Sequence, residues 1–109
     1  MAYSQELAER IRELIIERLD VTGRKMFGGI AWVLSGNMAV GVNNDRMVVR
    51  LAHEEVGTAL AEPHVGPMDF TGKPKRGFVT VEPKGLEDEG DLAGWIATGA
   101  GFAASLPAK

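Results

Sequence analysis

The sequence predicts a small α+β domain in which long helices at both ends flank an antiparallel sheet of about four strands. Three observations carry this prediction. Apolar residues recur at spacings of three and four near both ends of the chain, and they alternate with a period of two between those segments. Turn residues such as Asn44-Asp45 separate the alternating segments. The length of 109 residues suits one domain, so residues 1–109 are assigned to a single domain.

The first helix is expected over residues 4–19, with Ser4 as its N-terminal cap. Its apolar positions fall on one stripe, formed by Leu7, Ile11, Leu14, Ile15 and Leu19. The pattern then changes to strands over residues 26–34, 38–43 and 46–51. The first turn leaves two registers open, a Gly36-Asn37 loop and a Ser35–Asn37 loop. These differ by one residue, and the slip moves Trp32 to the other face of the sheet.

The second turn, Asn44-Asp45, suits a type I′ hairpin that pairs Val42 with Met47 and Val40 with Val49. This register gives the sheet one bulky face and one lean face. The bulky face would carry Met38, Val40, Val42, Met47, Val49 and Leu51, and the lean face Ala39, Gly41, Val48 and Arg50.

The second half of the chain predicts a short helix over 53–60, a long loop over 61–76 and a fourth strand over 77–81. A second long helix is expected over 86–106, with Leu92, Trp95, Ile96 and Phe102 on one side. Four glycines interrupt it, each costing about 1 kcal/mol relative to alanine. They indicate either close packing of the helix or a frayed end.

Composition excludes several classes of function. The chain has no cysteine, which excludes disulfides, zinc–thiolate sites, iron–sulfur clusters and a cysteine nucleophile. The net charge of −3 argues against a general nucleic-acid coat. The first residues show no cationic leader followed by an apolar run, so no signal peptide is expected, and the longest apolar run, Ile30–Leu34, is far shorter than a membrane helix. We therefore expect a cytoplasmic chain that does not bind membranes.

Motifs for cofactors and metals are absent from the sequence. The spacing of glycines does not fit a dinucleotide or phosphate loop, and Gly28-Gly29 indicates a bulge or a close backbone approach. His53 and His64 lack ligand partners three or four residues away. We expect no catalytic residues, no metal and no cofactor. The alternative is a metal-dependent nuclease that uses Asp69, Glu82 and Lys84.

Two segments are basic, residues 21–53 and 71–84, each with 4 basic and 1 acidic residue. If they meet in the fold, they form an anion-attracting surface; the alternative is ordinary solvated surface. The candidate binding patch consists of Arg24, Lys25, Arg46, Arg50, Lys73, Lys75 and Arg76.

Four segments carry a resemblance to a known family. They are Arg24-Lys25-Met26-Phe27-Gly28-Gly29-Ile30, Gly36-Asn37-Met38-Ala39, the segment from Met68 to Val79 that contains Gly72-Lys73-Pro74, and Leu92-x-x-Trp95. In order and spacing the chain resembles the N-terminal domain of the TfoX/Sxy competence regulators. One departure is Lys75, where the family usually has a second methionine.

The resemblance implies an α+β sandwich like those of YgaC and the secretion chaperones, with no known catalytic residues. It also implies a role in transcription regulation and competence, and the chain is expected to be a stand-alone copy of the domain. We expect a non-enzymatic, protein-binding regulatory domain with an unidentified protein partner or a second copy of itself, and weak or no binding to nucleic acid alone. The alternatives are a small-ligand or nucleic-acid binding module that uses the basic patch, and the nuclease.

Overall fold

The computed structural model describes residues 4–15, 21–26, 29–68 and 77–107, with six strands and three α-helices among them. The order along the sheet is β1-β2-β3-β4-β6-β5, and every neighbouring pair is antiparallel. The elements are α1 Gln5–Ile15, β1 Val21–Met26, β2 Gly29–Leu34, β3 Asn37–Asn43, β4 Arg46–Arg50, α2 Val56–Leu60, β5 Val65–Pro67, β6 Phe78–Val81 and α3 Glu89–Ser105. Single 3-10 turns, His53–Glu55 and Pro83–Leu86, precede α2 and α3.

The antiparallel α+β architecture is confirmed, but the predicted number of about four strands is wrong. The two additional strands, β1 and β5, form the edges of the sheet. The sequence pattern does not predict β1, because no apolar alternation marks this strand. Its residues Thr22, Gly23, Arg24 and Lys25 are all exposed. Charged residues are common on edge strands, where they discourage pairing with another chain. The three residues of β5 end in Pro67, which an edge strand tolerates.

The first hairpin follows neither of the two predicted registers. Leu34 pairs with Asn37, so the loop is Ser35-Gly36, and both residues have a positive φ, of 51° and 87°. The register of the second hairpin is confirmed, with Val42 opposite Met47 and Val40 opposite Val49. The predicted type I′ turn at Asn44-Asp45 is wrong. That turn needs a positive φ at both central residues, and only Asn44 has one.

Because of a β-bulge in β3, Met38 and Ala39 lie on other faces of the sheet than the sequence predicted. Trp32 pairs with Val40 but Val33 pairs with Met38, which leaves Ala39 as an extra residue without a partner across the ladder. Met38 therefore joins Ala31 and Val48, on the face opposite to the one predicted. Ala39 turns instead toward α3, where it packs with Leu34, Ala100 and Ala103.

The main core lies between the sheet and the helices α1 and α3. Ser4 caps α1 by accepting a hydrogen bond from the amide of Leu7 at 3.2 Å, which confirms the predicted start of the helix. Within the described part of its stripe, Leu7, Ile11 and Ile15 are buried and Leu14 is half-buried; Leu19 lies outside the described residues. The stripe belongs to one buried cluster with residues of the sheet and of α3, namely Trp32, Val40, Val42, Met47, Val49, Val79, Val81, Leu92 and Ile96.

The glycines of α3 have different surroundings. At Gly99 an added Cβ would lie 2.4 Å from the carbonyl oxygen of Ala39, so the helix rests directly on the bulge of β3. At Gly94 and Gly101 an added Cβ would meet nothing within 4 Å. The predicted close packing therefore holds at Gly99, while Gly94 and Gly101 leave open space on the outer side of the helix.

A smaller cluster, formed by Ala31, Met38, Val48, Met68 and Phe78, is buried on the second face of the sheet. The space that the missing side chain of Gly41 would occupy is taken by the Cε of Met38, 3.0 Å from an added Cβ. The predicted lean face is thus packed at this point. No helix in the described part of the chain is long and apolar enough to span a membrane.

Candidate functional site

The structure places four of the seven residues of the predicted basic patch. Arg24 and Lys25 are adjacent and exposed in β1, so their side chains leave opposite faces of the sheet. Arg46 is exposed at the start of β4, and Arg50 is half-buried at its end. Lys73, Lys75 and Arg76 lie outside the described residues, so the full patch stays a prediction.

Arg50 is held by two aromatic rings. Its guanidinium carbon lies 5.6 Å from the centroid of Phe78 and 5.6 Å from that of Phe102. Both distances are within the range of cation–π contacts, about 6 Å. Arg50 thereby links β4 to β6 and to α3, and its position follows from packing as well as from charge.

Apart from the neighbours Arg24 and Lys25, the described cations of the patch are far apart along the backbone of the sheet. Arg24 is in β1 and Arg50 in β4, three strands away, which corresponds to about 14 Å across the sheet. Arg46 and Arg50 are four residues apart in one strand, or about 13 Å. Both separations exceed the Debye length of about 8 Å at physiological salt. The backbone positions of these four residues are therefore spread over the sheet, and whether their side chains form one surface stays a prediction.

We expect the purified chain to bind double-stranded DNA no tighter than about 10⁻⁵ M at physiological salt, within the range of non-specific contacts. The reasons are the spacing of the described cations and the net charge of −3. Fluorescence anisotropy with two unrelated duplexes would measure the affinity and its salt dependence. A sub-micromolar complex selective for one duplex, and lost when Lys73 and Arg76 are both changed to alanine, would contradict this expectation.

The residues of the nuclease alternative are placed only in part. Glu82 is exposed directly after β6, Lys84 is exposed in the following 3-10 turn, and Asp69 lies outside the described residues. Among the residues that the structure describes, no group of three or more His, Asp or Glu side chains could hold a metal ion.

An open groove of about 500 Å³ runs along α3, and sequence reasoning did not find it. One wall is the outer side of α3, and the other comes from the segment before β5 and from the 3-10 turn after β6. The lining residues are Glu62, Pro63, His64, Lys84, Gly85, Gly90, Asp91, Gly94, Trp95 and Thr98. We refer to this surface as the Trp95 groove.

Glycines shape the Trp95 groove. Gly94 lies in the α3 wall of the groove and has no side chain. An added Cβ at this position would meet nothing within 4 Å, so the space beside it is open. Gly85 lets the opposite wall approach β6: an added Cβ would lie 2.9 Å from Val81 Cγ1 and 3.2 Å from His64 Cβ. At the start of α3, the carboxylate of Asp88 accepts a hydrogen bond from the amide of Gly90 at 2.7 Å. The helix therefore begins at the mouth of the groove.

Charged groups of both signs line the groove. His64 has a positive φ of 67°, and its Nδ1 lies 4.0 Å from Glu82 Oε2. Glu62, Lys84 and Asp91 are exposed, and none of the ion pairs found in the described part of the chain includes them. Trp95 is half-buried, since it packs against the main core and also lines the groove. The groove thus offers Trp95 beside two carboxylates, those of Glu62 and Asp91, that form no ion pair in the described part of the chain.

The sequence carries one signal for this groove. The apolar spacing of the second long helix predicts Trp95 on its core side, and the glycines of that helix indicate packing or fraying. The spacing of Gly90, Gly94 and Thr98, four residues apart, places all three on one side of a helix. The missing information was which segment faces that side, because it depends on the pairing of β5 with β6.

The fold defines a small α+β domain with a six-stranded antiparallel sheet and helices packed on one face. The sequence model of the TfoX N-terminal domain family matches residues 13–103 of this chain. The chain therefore belongs to the TfoX N-terminal domain family, as the resemblance implied. No curated protein and no solved structure matches the chain, so the expected likeness to secretion chaperones stays a prediction.

Proposed function

We propose that this chain is a non-enzymatic, protein-binding regulatory domain that acts in the cytoplasm, and that its partner docks in the Trp95 groove. A regulatory role is supported by membership of the TfoX N-terminal domain family. The resemblance found in the sequence links the full-length members of this family to competence and transcription. The observation that carries the proposal is the shape of the groove. It is long, open and lined by an aromatic ring and by charged groups of both signs.

The exposure of the lining residues favours a protein partner over a small molecule. Sites for small ligands are concave and bury about 70–90% of the ligand surface. In the Trp95 groove, no lining residue is buried: seven are exposed, and Gly85, Trp95 and Thr98 are half-buried. Such an open surface covers one side of an occupant and leaves the rest to solvent, as is common where one protein segment lies on another.

Gly94→Leu tests this proposal without disturbing the fold. The new side chain would fill the groove, and it would meet no atom within 4 Å of its Cβ. Replacing an exposed helical glycine by leucine should stabilise the helix by roughly 0.5–1 kcal/mol. Gly101→Leu is the matched control, because Gly101 is equally open but lies about 10 Å further along α3 and does not line the groove.

We expect the tagged wild-type chain and the Gly101→Leu variant to capture a partner protein from the source cells. The Gly94→Leu variant should not capture that protein. Mass spectrometry would identify that protein, and calorimetry with the purified pair would measure a decrease in affinity of at least about tenfold, or about 1.4 kcal/mol. Thermal melting should show that both variants are at least as stable as the wild type. If the purified partner binds Gly94→Leu as tightly as the wild type, or if no protein is captured above an empty-tag control, the proposal is wrong.

A further inference from the structure

We propose that the occupant of the Trp95 groove is an extended, positively charged peptide segment of the partner, in which an apolar or basic side chain lies against Trp95. This inference rests on the proposed function and deepens it, because it names the chemistry of the segment that the groove recognises. It follows from the length of the groove, its charge and the position of Trp95.

The length of the groove suits a short extended segment. Its α3 wall runs over the nine residues from Gly90 to Thr98, or about 12 Å of helix. An extended chain advances about 3.3 Å per residue, so the wall accommodates roughly four residues. Because Gly94 has no side chain at the middle of this wall, a peptide backbone can approach the helix closely there.

The charge around the groove favours cations. Residues 82–91, which form the 3-10 turn and the start of α3, contain five acidic residues and one lysine. Glu62 adds a carboxylate from the other wall. Two of the acidic residues have partners, since Glu82 lies near His64 and Glu89 lies 3.6 Å from Arg10. Lys84 is the one lysine or arginine among the groove's lining residues, and it forms no ion pair with Glu62 or Asp91 in the described part of the chain, so Lys or Arg side chains of a partner can complement these two carboxylates.

Trp95 provides the remaining contact. Trp95 is half-buried: it packs against the main core and also lines the groove, together with Asp91 and Gly94. A tryptophan face is the best aromatic surface for a Lys or Arg cation and also packs against apolar side chains. A nucleic acid would be repelled by the surrounding carboxylates, which makes the groove a different surface from the predicted basic patch.

Selection from a random 12-residue peptide library displayed on phage, with the immobilised full chain as the bait, tests the inference. We expect the selected peptides to contain more Lys and Arg than Asp and Glu, together with an apolar residue. The most enriched peptide, synthesised without tryptophan, should change the fluorescence of Trp95. Trp32, the other tryptophan, is only 4% exposed, and Trp95→Phe would show which ring responds.

The affinity of that synthetic peptide for the chain should fall at least about tenfold with Gly94→Leu. It should fall by a similar factor with the double variant Glu62→Gln and Asp91→Asn. With Gly101→Leu the affinity should remain unchanged. It should also weaken as salt rises, because exposed charge pairs are screened. Each of the following would overturn the inference: neutral or acidic selected peptides, equal binding to Gly94→Leu, no enrichment, or a dimer of the chain in sedimentation that Gly94→Leu dissociates. If Gly94→Leu still abolishes capture of a protein partner but the peptide experiments give one of these contrary results, the proposed function stands. In that case only the inference of an extended basic segment is wrong.

Discussion

Leu92→Ala is expected to lower the free energy of unfolding by about 2–5 kcal/mol, as truncation of a fully buried leucine does. Leu92 is 0% exposed, and it belongs to the cluster in which α3 meets α1 and the sheet. The truncated side chain would leave a cavity between these elements, which the α3 backbone cannot close because Gly99 already holds the helix against β3. Urea denaturation followed by circular dichroism would measure the change.

Leu60→Ala is the matched control for this prediction, since Leu60 is 39% exposed at the end of α2. The same chemical change at this surface position should alter the free energy of unfolding by no more than about 0.5 kcal/mol. A loss below about 1 kcal/mol for Leu92→Ala would show that α3 is not docked on the sheet as described.

Gly99→Ala should destabilise the domain by about 1–3 kcal/mol, the usual cost of forcing extra atoms into a packed core. Its Cβ would lie 2.4 Å from the carbonyl oxygen of Ala39 and 2.6 Å from Val40 Cγ1, so the helix or the strand must move. The direction of this effect is informative, because alanine is favoured over glycine by about 1 kcal/mol in a helix without such contacts.

Gly101→Ala serves as the control in the same helix. An added Cβ at that position meets nothing within 4 Å, so we expect a gain of roughly 0.4–1 kcal/mol. Urea unfolding of the two variants should therefore give changes of opposite sign. If both substitutions are stabilising, the direct contact between α3 and β3 is wrong.

The parts of the fold that the sequence predicted well are those where burial produces a regular pattern. The stripe of α1 marks a helix with one apolar face, the run Met47, Val48 and Val49 marks a strand that is buried on both faces, and the pairing of Val42 with Met47 followed from a short polar turn. The edge strands were missed because residues 22–25 of β1 are exposed and β5 has three residues. The faces at Met38 and Ala39 were exchanged because a bulge changes the alternation by one residue, and Ala39 carries no side-chain signal of its own.

The candidate site was harder to predict than the fold. Clusters of Lys and Arg are visible in a sequence, but their positions in space depend on strand order. Arg24 and Arg50 are separated by two intervening strands. The Trp95 groove is formed by residues from three segments between Glu62 and Thr98, and glycines determine its shape. An empty position on a helix becomes part of a groove only when a second wall faces it, and that wall is set by tertiary packing.

The bulge in β3 and the glycine of α3 on top of it constrain each other. The extra residue at position 39 pushes a carbonyl oxygen toward the helix, and the absence of a side chain at position 99 makes room for that oxygen. A chain that lost one residue from β3 would regain regular pairing and would no longer need glycine in the helix. In related sequences we therefore expect the length of this strand and the residue at position 99 to be inherited together, so that a larger residue on the helix accompanies a strand one residue shorter.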